Sequence, residues 1–261
     1  MNARSKIHRQ TAKIRKRTFK ALGFVSLERA ISKLGVTSRS QAAKLVSGGK
    51  VSINGLVVTN PSFRISMEKA KIKIEDKVIK PKKMIYLLMN KPMDIVTTRS
   101  DEMQRQTVYD LLGDFKKYVF PIGRLDKDTT GLLLLTNDNR FGERLTNPQS
   151  KISKTYVAKL DKAVKEKDLD FLRQGVKLND GYETLPAVLK IIGDRNSKTK
   201  VEITITEGKN RQVHRMFESI EYKVVALKRI RLGNLNLENL KVGQWRFLTK
   251  SEVVKFSSQN I

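Results

Sequence analysis

The feature that most constrains the fold is an unbroken apolar run, GLLLL at residues 131–135, which begins the segment GLLLLTND. The run is too short to span a membrane, and an apolar segment of this length is typical of a strand buried on both faces. We therefore predict a central strand of a sheet at this position. The preceding residues GRLDKDTT, at 123–130, are predicted to form the loop that leads into the strand.

The stretch from about 85 to 255 predicts an α+β domain, because short strand patterns alternate there with a few helical patterns. We expect a mixed, mainly antiparallel sheet. The predicted strands are IYLLMN, GLLLLTN, KTYVAKL, KVEITIT and VVALKRIRLG, and the predicted helices are VYDLLG, RFGERLTN, KEKDLDFLRQG and RQVHRMFESI.

A second, smaller domain is predicted at residues 26–80. LERAISKL and SRSQAAKLV have helical spacing, with Ser38 as the candidate N-cap of the second helix and a pair of glycines after it. Asn54 and Gly55 lie between alternating apolar residues and predict a hairpin, and KIKIEDKVI shows another strand-like alternation. The segment KPKKM at 80–84 is the predicted linker between the domains.

Residues 1–25 predict a flexible basic arm, because they contain many Lys and Arg residues, no acidic residue and little apolar periodicity. The arm lacks the apolar core of a secretory signal. It could contact phosphates, remain a solvated tail, or serve as an organellar transit peptide, and we favour the first two. We expect a monomer in the cytoplasm.

The charge balance indicates a polyphosphate partner. The 261 residues include 53 Lys and Arg against 26 Asp and Glu, which gives a formal net charge of +27. This excess favours nucleic acid. Binding to a membrane surface is the alternative, but the sequence has no apolar stretch of spanning length and no strongly amphipathic basic helix.

The chemistry-bearing residue types exclude several classes of site. Cysteine is absent, which excludes disulfides, thiolate catalysis and cysteine-ligated zinc. His8 and His214 are the two histidines, and neither has a metal-ligand partner at the usual spacing. The sequence contains neither a P-loop nor a dinucleotide-binding glycine pattern. We therefore predict no metal and no cofactor.

Two aspartates on the predicted loop are the main candidates for catalysis. Asp126 and Asp128 precede the apolar run, on a loop that a rigid strand would anchor. A purely structural role is the alternative, because Asp beside Thr often bonds to the local backbone and Asp126 could pair with Arg124. The residue types alone leave both possibilities open.

The smaller domain carries a resemblance to a known module. LERAISKLGVTSRSQAAKLVSGGKVSINGLVVTNP resembles the alpha-L RNA-binding domain, first described in a small-subunit ribosomal protein. This resemblance implies that the helix pair lies against structured RNA, through shape and phosphate contacts. The basic residues predicted to contact RNA are Arg29, Arg39, Lys44 and Lys50. A solvated helix face is the alternative.

The larger domain carries a longer resemblance. PIGRLDKDTTGLLLLTND resembles the signature motif of RNA pseudouridine synthases, in the branch that acts on ribosomal RNA. MNKPMDIVTT, SKTYVAKL and EGKNRQVHRMFESIEYKVVALKRIRLGNL resemble three further motifs of that family. The resemblance implies ribosomal RNA as partner and no cofactor. The implied reaction cuts uracil from carbon 1 of the ribose, rotates it, and rejoins it through carbon 5.

The resemblance also implies roles for residues of the loop and the KTY motif. Asp126 matches the family's catalytic aspartate, which either attacks the ribose carbon or takes a ribose proton to form a glycal. Asp128 matches a supporting aspartate that holds the loop. Arg124, two residues before Asp126, is placed to occupy the position that the extruded base leaves or to pin the flanking phosphate. Tyr156 matches the tyrosine that stacks under the base, although an ordinary half-buried strand tyrosine is the alternative.

One position departs from the family's pattern. His214 stands in NRQVHRM where many relatives have Arg or Lys, a residue thought to pair with the catalytic aspartate and keep it ionised. Arg211 and Arg215 could supply that charge instead, and both are predicted to contact RNA. The rival function is a non-catalytic RNA-binding or ribosome-assembly factor, which would have no reason to keep an aspartate beside RNA phosphate.

Overall fold

The computed structural model describes residues 23–99, 101–192 and 200–257. The chain divides into two compact units. One contains Met1–Met84 with Asn137–Asn139, and the other contains Ile85–Thr136 with Arg140–Ile261.

The described part of the first unit contains two helices and two small antiparallel sheets. Helix α1 is Leu27–Lys33 and helix α2 is Arg39–Ser47. One sheet has two strands, β1 and β4, and the other has four strands in the order β3-β2-β5-β6. In chain order, the strands are β1 (Phe24–Ser26), β2 (Val51–Ile53), β3 (Leu56–Val57), β4 (Arg64–Ser66), β5 (Ile72–Ile74) and β6 (Lys77–Val78).

The helix cap and the hairpin turn that the sequence predicts are both present in the first unit. The Ser38 side chain caps α2 by accepting a hydrogen bond of 3.1 Å from the backbone N–H of Gln41. Asn54 and Gly55 both have positive φ, at 51° and 91°, and form the turn between β2 and β3. This left-handed pair is the geometry that a two-residue hairpin turn requires.

Two expectations for the first unit were wrong in part. KIKIEDKVI forms two paired strands, β5 and β6, because Glu75 and Asp76 both adopt left-handed φ angles and reverse the chain. The predicted basic arm ended at residue 25, but Phe24 and Val25 lie in β1 and pair with β4. Residues 1–22 of that arm lie outside the described part of the chain.

The second unit is built on one nine-stranded mixed sheet. Seven strands follow the order β11-β12-β10-β13-β9-β7-β15, while β14 pairs with β13 and β8 pairs with β9. Strands β13 and β9 are parallel, and the other pairs are antiparallel. The strands are β7 (Tyr86–Lys91), β8 (Phe120–Pro121), β9 (Thr129–Thr136), β10 (Lys154–Leu160), β11 (Val188–Ile191), β12 (Lys200–Ile205), β13 (Val224–Leu232), β14 (Leu235–Asn236) and β15 (Trp245–Phe247). The predicted mixed, mainly antiparallel sheet is confirmed.

The helices of the remaining sequence match three of the four predicted segments. They are α3 (Asn139–Thr146), α4 (Glu166–Gln174), α5 (Gln212–Glu218) and α6 (Lys250–Ser257), and α6 was not predicted. The segment VYDLLG, predicted as a helix, forms only the single 3₁₀ turn Asp110–Leu112, because Gly113 leaves helical geometry at φ 55°. Of the described helices, none is long and apolar enough to cross a membrane.

The leucine run lies in β9 and is buried on both faces. Leu133 and Leu135 belong to one hydrophobic cluster, and Leu132 and Leu134 belong to a second cluster. Because successive side chains of a strand point to opposite faces, the two clusters cover opposite sides of the sheet. This double burial explains why the run is continuous rather than alternating.

The close approach of β9 and β13 makes Gly131 difficult to replace. Gly131 has φ +100°, and a Cβ atom there would lie 2.2 Å from the carbonyl oxygen of Arg229. We expect Gly131→Ala to lower the free energy of unfolding by about 2–3 kcal/mol, through backbone strain and overpacking. Urea denaturation followed by the fluorescence of Trp245, the single tryptophan, measures this change in the second unit.

Gly123→Ala is the matched control. Gly123 also has positive φ, at +71°, but nothing lies within 4 Å of a Cβ at that position. Its replacement should lower the free energy of unfolding by only about 1 kcal/mol. Equal losses in the two variants would contradict the steric argument.

Candidate active site

The loop that carries the two aspartates is anchored by hydrogen bonds from a neighbouring segment to its backbone carbonyls. It runs from β8 to β9, with Leu125 buried in the core of the second unit. The Thr97 hydroxyl donates to the Leu125 carbonyl at 2.8 Å, and the Asp94 N–H donates to the Lys127 carbonyl at 3.0 Å. The residues that flank Asp126 are therefore fixed from a neighbouring segment.

A buried lysine fixes the same loop from within. Lys91, at the end of β7, is 0% exposed. Its ammonium donates to four carbonyl oxygens, those of Pro92 at 3.1 Å, Asp126 at 3.0 Å, Lys127 at 3.4 Å and Thr129 at 2.9 Å. Burial lowers the pKa of Lys91 to about 8, against the charges of nearby aspartates, so the ammonium is still mostly protonated at pH 7.

The two aspartates of the loop differ in what they contact. The Asp126 carboxylate is half-buried and forms no hydrogen bond or ion pair with any other described residue. In particular, it does not pair with Arg124, which is exposed. The Asp128 carboxylate accepts a hydrogen bond of 2.7 Å from Arg211. Burial raises the pKa of Asp128, but the hydrogen bond and charge of Arg211 outweigh it, and the net pKa is lowered.

Arg211 reaches Asp128 from a strained position. It stands at the N-terminal end of α5 with left-handed φ and ψ angles of 47° and 32°. The turn before it is fixed because the Gln212 side-chain oxygen accepts a bond of 2.9 Å from the Lys209 N–H. Strained backbone of this kind is often found at functional sites, where the surrounding structure holds it.

His214 lies on the first turn of α5, with its side chain 7% exposed. Its Nε2 atom is 3.9 Å from the Asp128 carboxylate, and it forms no hydrogen bond with a described residue. Burial and the charge of Arg211 lower the pKa of His214, against the opposing charge of Asp128. The imidazole is therefore neutral at pH 7, and Arg211 supplies the positive charge beside Asp128.

The titration of His214 provides a test of this electrostatic arrangement. We expect its pKa in the folded protein to lie below the ordinary value of 6.5. Since the unfolded chain then binds a proton that the folded chain does not, the free energy of unfolding should fall as the pH drops below about 6.5. NMR titration of the imidazole resonances measures the pKa, with His8→Gln to assign the two histidines. A pKa above 6.5 would instead indicate a charged His214–Asp128 pair.

Tyr156 lies in β10, where β13 places Arg229 opposite it. The tyrosine is largely buried, and its hydroxyl forms no hydrogen bond with another described residue. Arg229 is 3% exposed, and its Nε donates to the Leu132 carbonyl at 2.7 Å, while its Nη2 has no partner in the described part of the chain. Neither Arg229 nor Lys91 is predicted as a site residue from the sequence, although both lie in the motifs quoted above.

The other predicted site residues are placed as follows. Arg215 forms an ion pair of 2.5 Å with Asp180, not with either loop aspartate. In the first unit, the predicted RNA contacts occupy exposed or half-exposed positions of the helix pair and the following turn. They are Arg29, Arg39 (paired with Glu28), Lys44 and Lys50 (paired with Glu75). Such surface pairs are weak and leave a cation able to exchange partners.

The geometry thus brings together Asp126, Asp128, Arg211 and His214, with Lys91 beneath the loop. The described residues contain no group of His, Cys, Asp and Glu side chains able to hold a metal ion. The cluster can supply one unpaired carboxylate at a fixed position, beside a second carboxylate that is paired.

Comparisons with known proteins show the family of the chain. Residues 85–219 match the family model described as RNA pseudouridylate synthase, and residues 27–72 match the S4 domain model. The chain belongs to the RNA pseudouridylate synthase family. The resemblance drawn from its sequence motifs is therefore confirmed, as is its status as an enzyme of this class.

Individual relatives agree with this assignment. The synthase is 39% identical to "Ribosomal large subunit pseudouridine synthase B" of Bacillus subtilis (strain 168) over 229 residues, 87% of this chain and 93% of the relative. It is 36% identical over 233 residues to an uncharacterized RNA pseudouridine synthase of Aquifex aeolicus (strain VF5), covering 88% of this chain and 93% of that one. A crystal structure of a pseudouridylate synthase superposes with a TM-score of 0.66 at 35% identity, covering 89% of this chain and 99% of the other.

Proposed function

We propose that this synthase converts a uridine of ribosomal RNA to pseudouridine, with Asp126 as the catalytic residue. The observation that carries the proposal is the contrast between the two loop aspartates. Asp128 is engaged by Arg211 at 2.7 Å, whereas the Asp126 carboxylate is unpaired among the described residues on a loop whose backbone is held by Lys91. An unpaired carboxylate in a fixed position is suited to chemistry rather than to holding the loop.

Both chemical routes to pseudouridine need one ionised carboxylate. In the first route, an Asp126 oxygen bonds to C1′ as uracil leaves with the electron pair of the C1′–N1 bond. In the second, Asp126 takes the C2′ proton, and C1′ and C2′ become doubly bonded as uracil leaves. Uracil then rotates, and its C5 attacks C1′. In the first route the bond between C1′ and Asp126 breaks and its electron pair returns to the carboxylate, and in the second Asp126 returns the proton to C2′. The C5 proton is then lost, and N1 takes up a proton. No electrons are gained or lost overall, so the isomerisation needs no redox cofactor.

The neighbouring residues are assigned supporting roles. Asp128 and Arg211 hold the loop and keep a positive charge near Asp126. Tyr156 stacks under the flipped uracil and assists removal of the C5 proton, and Arg124, exposed on the same loop, fills the position that the base leaves. Arg215 contributes to RNA binding from α5, outside the group that contacts Asp128.

We propose a division of labour between residues 26–80 and residues 85–255. The first range binds structured RNA through Arg29, Arg39, Lys44 and Lys50, and the second carries out the reaction. The Bacillus subtilis relative named ribosomal large subunit pseudouridine synthase B makes large-subunit RNA the first substrate to test. The net charge of +27 supports a polyanionic partner of this kind.

The test is tritium release from ribosomal RNA transcribed with uridine labelled at C5. Transcripts lack natural modifications, so each target uridine is present in its unreacted form. We expect release that saturates at one, or very few, tritium atoms per large-subunit transcript. Binding without any release, on large- and small-subunit transcripts alike, would favour a non-catalytic RNA-binding protein.

A further inference from the structure

A surface of the second unit outside the aspartate loop combines aromatic rings with unpaired cations. We call it the 115–118 patch, after the segment Phe115–Tyr118 that forms its centre. It consists of that segment, of Arg99, Trp245 and Phe247, which contact it, and of Tyr109, which contacts Arg99.

One end of the patch presents an exposed aromatic ring. Phe247 lies on β15, the edge strand of the sheet, and is 56% exposed. Its inner side is packed by Trp245 at 5.7 Å between ring centroids and by Phe115 at 6.2 Å. Because Phe115 and Trp245 also pack together at 5.4 Å, the exposed ring is held in one orientation.

The other end of the patch presents a guanidinium stacked on tyrosines. Arg99 is exposed and lies 5.1 Å from the ring centroid of Tyr118 and 5.3 Å from that of Tyr109. Stacking on two rings orders the arginine fork, so less side-chain entropy is lost when it binds a phosphate or a base.

Two lysines connect the two ends. Lys116 and Lys117 are exposed, and neither forms an ion pair with a residue in the described part of the chain. On the segment around Arg99, Asp94 pairs with Lys127 and Asp101 pairs with Arg105. Asp114, which precedes Phe115, is exposed and forms no ion pair with a described residue. Along the four residues 115–118, an aromatic residue thus stands on each side of two adjacent lysines.

The patch is joined to the aspartate loop through a short connection. Thr97 donates to the Leu125 carbonyl at 2.8 Å, and Leu125 immediately precedes Asp126. Arg99 lies two residues after Thr97. Arg99 is therefore the end of the patch near the aspartate loop, whereas Phe247 pairs with Leu87, towards the opposite end of β7 from Lys91. A strand of nucleic acid whose target base reaches Asp126 would meet Arg99 first and Phe247 further along.

We infer that the 115–118 patch binds the single-stranded RNA adjacent to the target uridine. A base stacks on Phe247, the phosphates that follow lie against Lys116 and Lys117, and Arg99 contacts the backbone next to the flipped nucleotide. A surface that combines aromatic rings with unpaired cations fits RNA better than a protein partner. Each base of RNA can stack on an aromatic ring, and each nucleotide carries a negatively charged phosphate. This inference rests on the proposed function.

The test compares patch variants with matched controls in filter binding and tritium release on one large-subunit transcript. Phe247→Ala should weaken RNA affinity about tenfold, and Phe247→Tyr, which keeps the ring, should bind as the unmutated protein does. Phe171→Ala is the control, since Phe171 lies on α4 and is 62% exposed. It should leave affinity unchanged.

The lysines are tested by the dependence of affinity on salt. The double variant Lys116→Ala and Lys117→Ala should reduce the slope of log affinity against log salt by about 1–2. The control removes the same charge from α4 and β11 with Lys167→Ala and Lys190→Ala, both exposed. The slope should then change less than in the patch variant.

The outcomes separate this inference from the proposed function. Tritium release by the unmutated protein, with affinity and slope unaltered in both patch variants, would overturn the patch and leave the function standing. That result would leave a protein partner as the candidate occupant. Weakened binding in both patch variants, with no release even by the unmutated protein, would support the patch as an RNA surface and overturn the proposed reaction.

Discussion

Asp126→Asn should lower the rate of tritium release by about a thousandfold or more. The amide keeps the size of the side chain but can neither attack C1′ nor accept a ribose proton. Because the Asp126 carboxylate has no partner among the described residues, its removal breaks no hydrogen bond there, and stability should change by less than about 0.5 kcal/mol. RNA affinity should be equal or slightly tighter, since one negative charge near phosphate is gone.

Asp128→Asn is the matched control for this prediction. It removes the same charge two residues away, but it weakens the bond of 2.7 Å to Arg211. We therefore expect a smaller loss of rate, and a measurable loss of stability, the reverse of the pattern at Asp126. Full tritium release by Asp126→Asn, in a preparation that binds RNA normally, would overturn its assignment as the catalytic residue.

Lys91→Met should reduce both stability and activity, although the ammonium of Lys91 forms no hydrogen bond with the Asp126 carboxylate. The methionine fills a similar volume but leaves four carbonyl oxygens without their donor. We expect the free energy of unfolding to fall by about 2–4 kcal/mol, as measured by urea denaturation. Tritium release should fall about a hundredfold, because Asp126 is no longer held in position.

Lys154→Met is the matched control, because Lys154 is a half-buried lysine with fewer contacts than Lys91. Burial also lowers the pKa of Lys154 to about 8, but its ammonium donates to a single carbonyl, that of Ile152 at 3.0 Å. The loss of stability should therefore be smaller than at Lys91. If Lys91→Met kept full stability and full tritium release, the four carbonyl contacts would have no role in fixing the loop.

The spacing of apolar residues was sufficient to predict the long strands of the sheet but not its short ones. The apolar run of β9 and the alternation of β10 and β12 reflect burial, which acts on each residue locally. Periodicity does not predict β8, β11, β14 and β15, which have two to four residues, too few for a clear periodic pattern. Their pairing is decided by residues distant in the sequence.

The candidate site could be predicted in part for a similar reason. The sequence supplies both aspartates with the same local chemistry, and only the approach of Arg211 from 83 residues away distinguishes their surroundings. The sequence carries no local signal for the role of Lys91, because its four carbonyl partners are defined only once the loop has folded. Arg229 meets Tyr156 through a pairing that contains a β-bulge, which no spacing rule reveals.

The most direct test of the central claim is to map pseudouridines in ribosomal RNA from three otherwise identical strains. One strain has the gene intact, one lacks it, and one carries only the Asp126→Asn variant at a normal level. We expect one pseudouridine, or very few, in large-subunit RNA to be present in the first strain and missing from the other two. An identical pseudouridine map in all three strains would contradict this expectation.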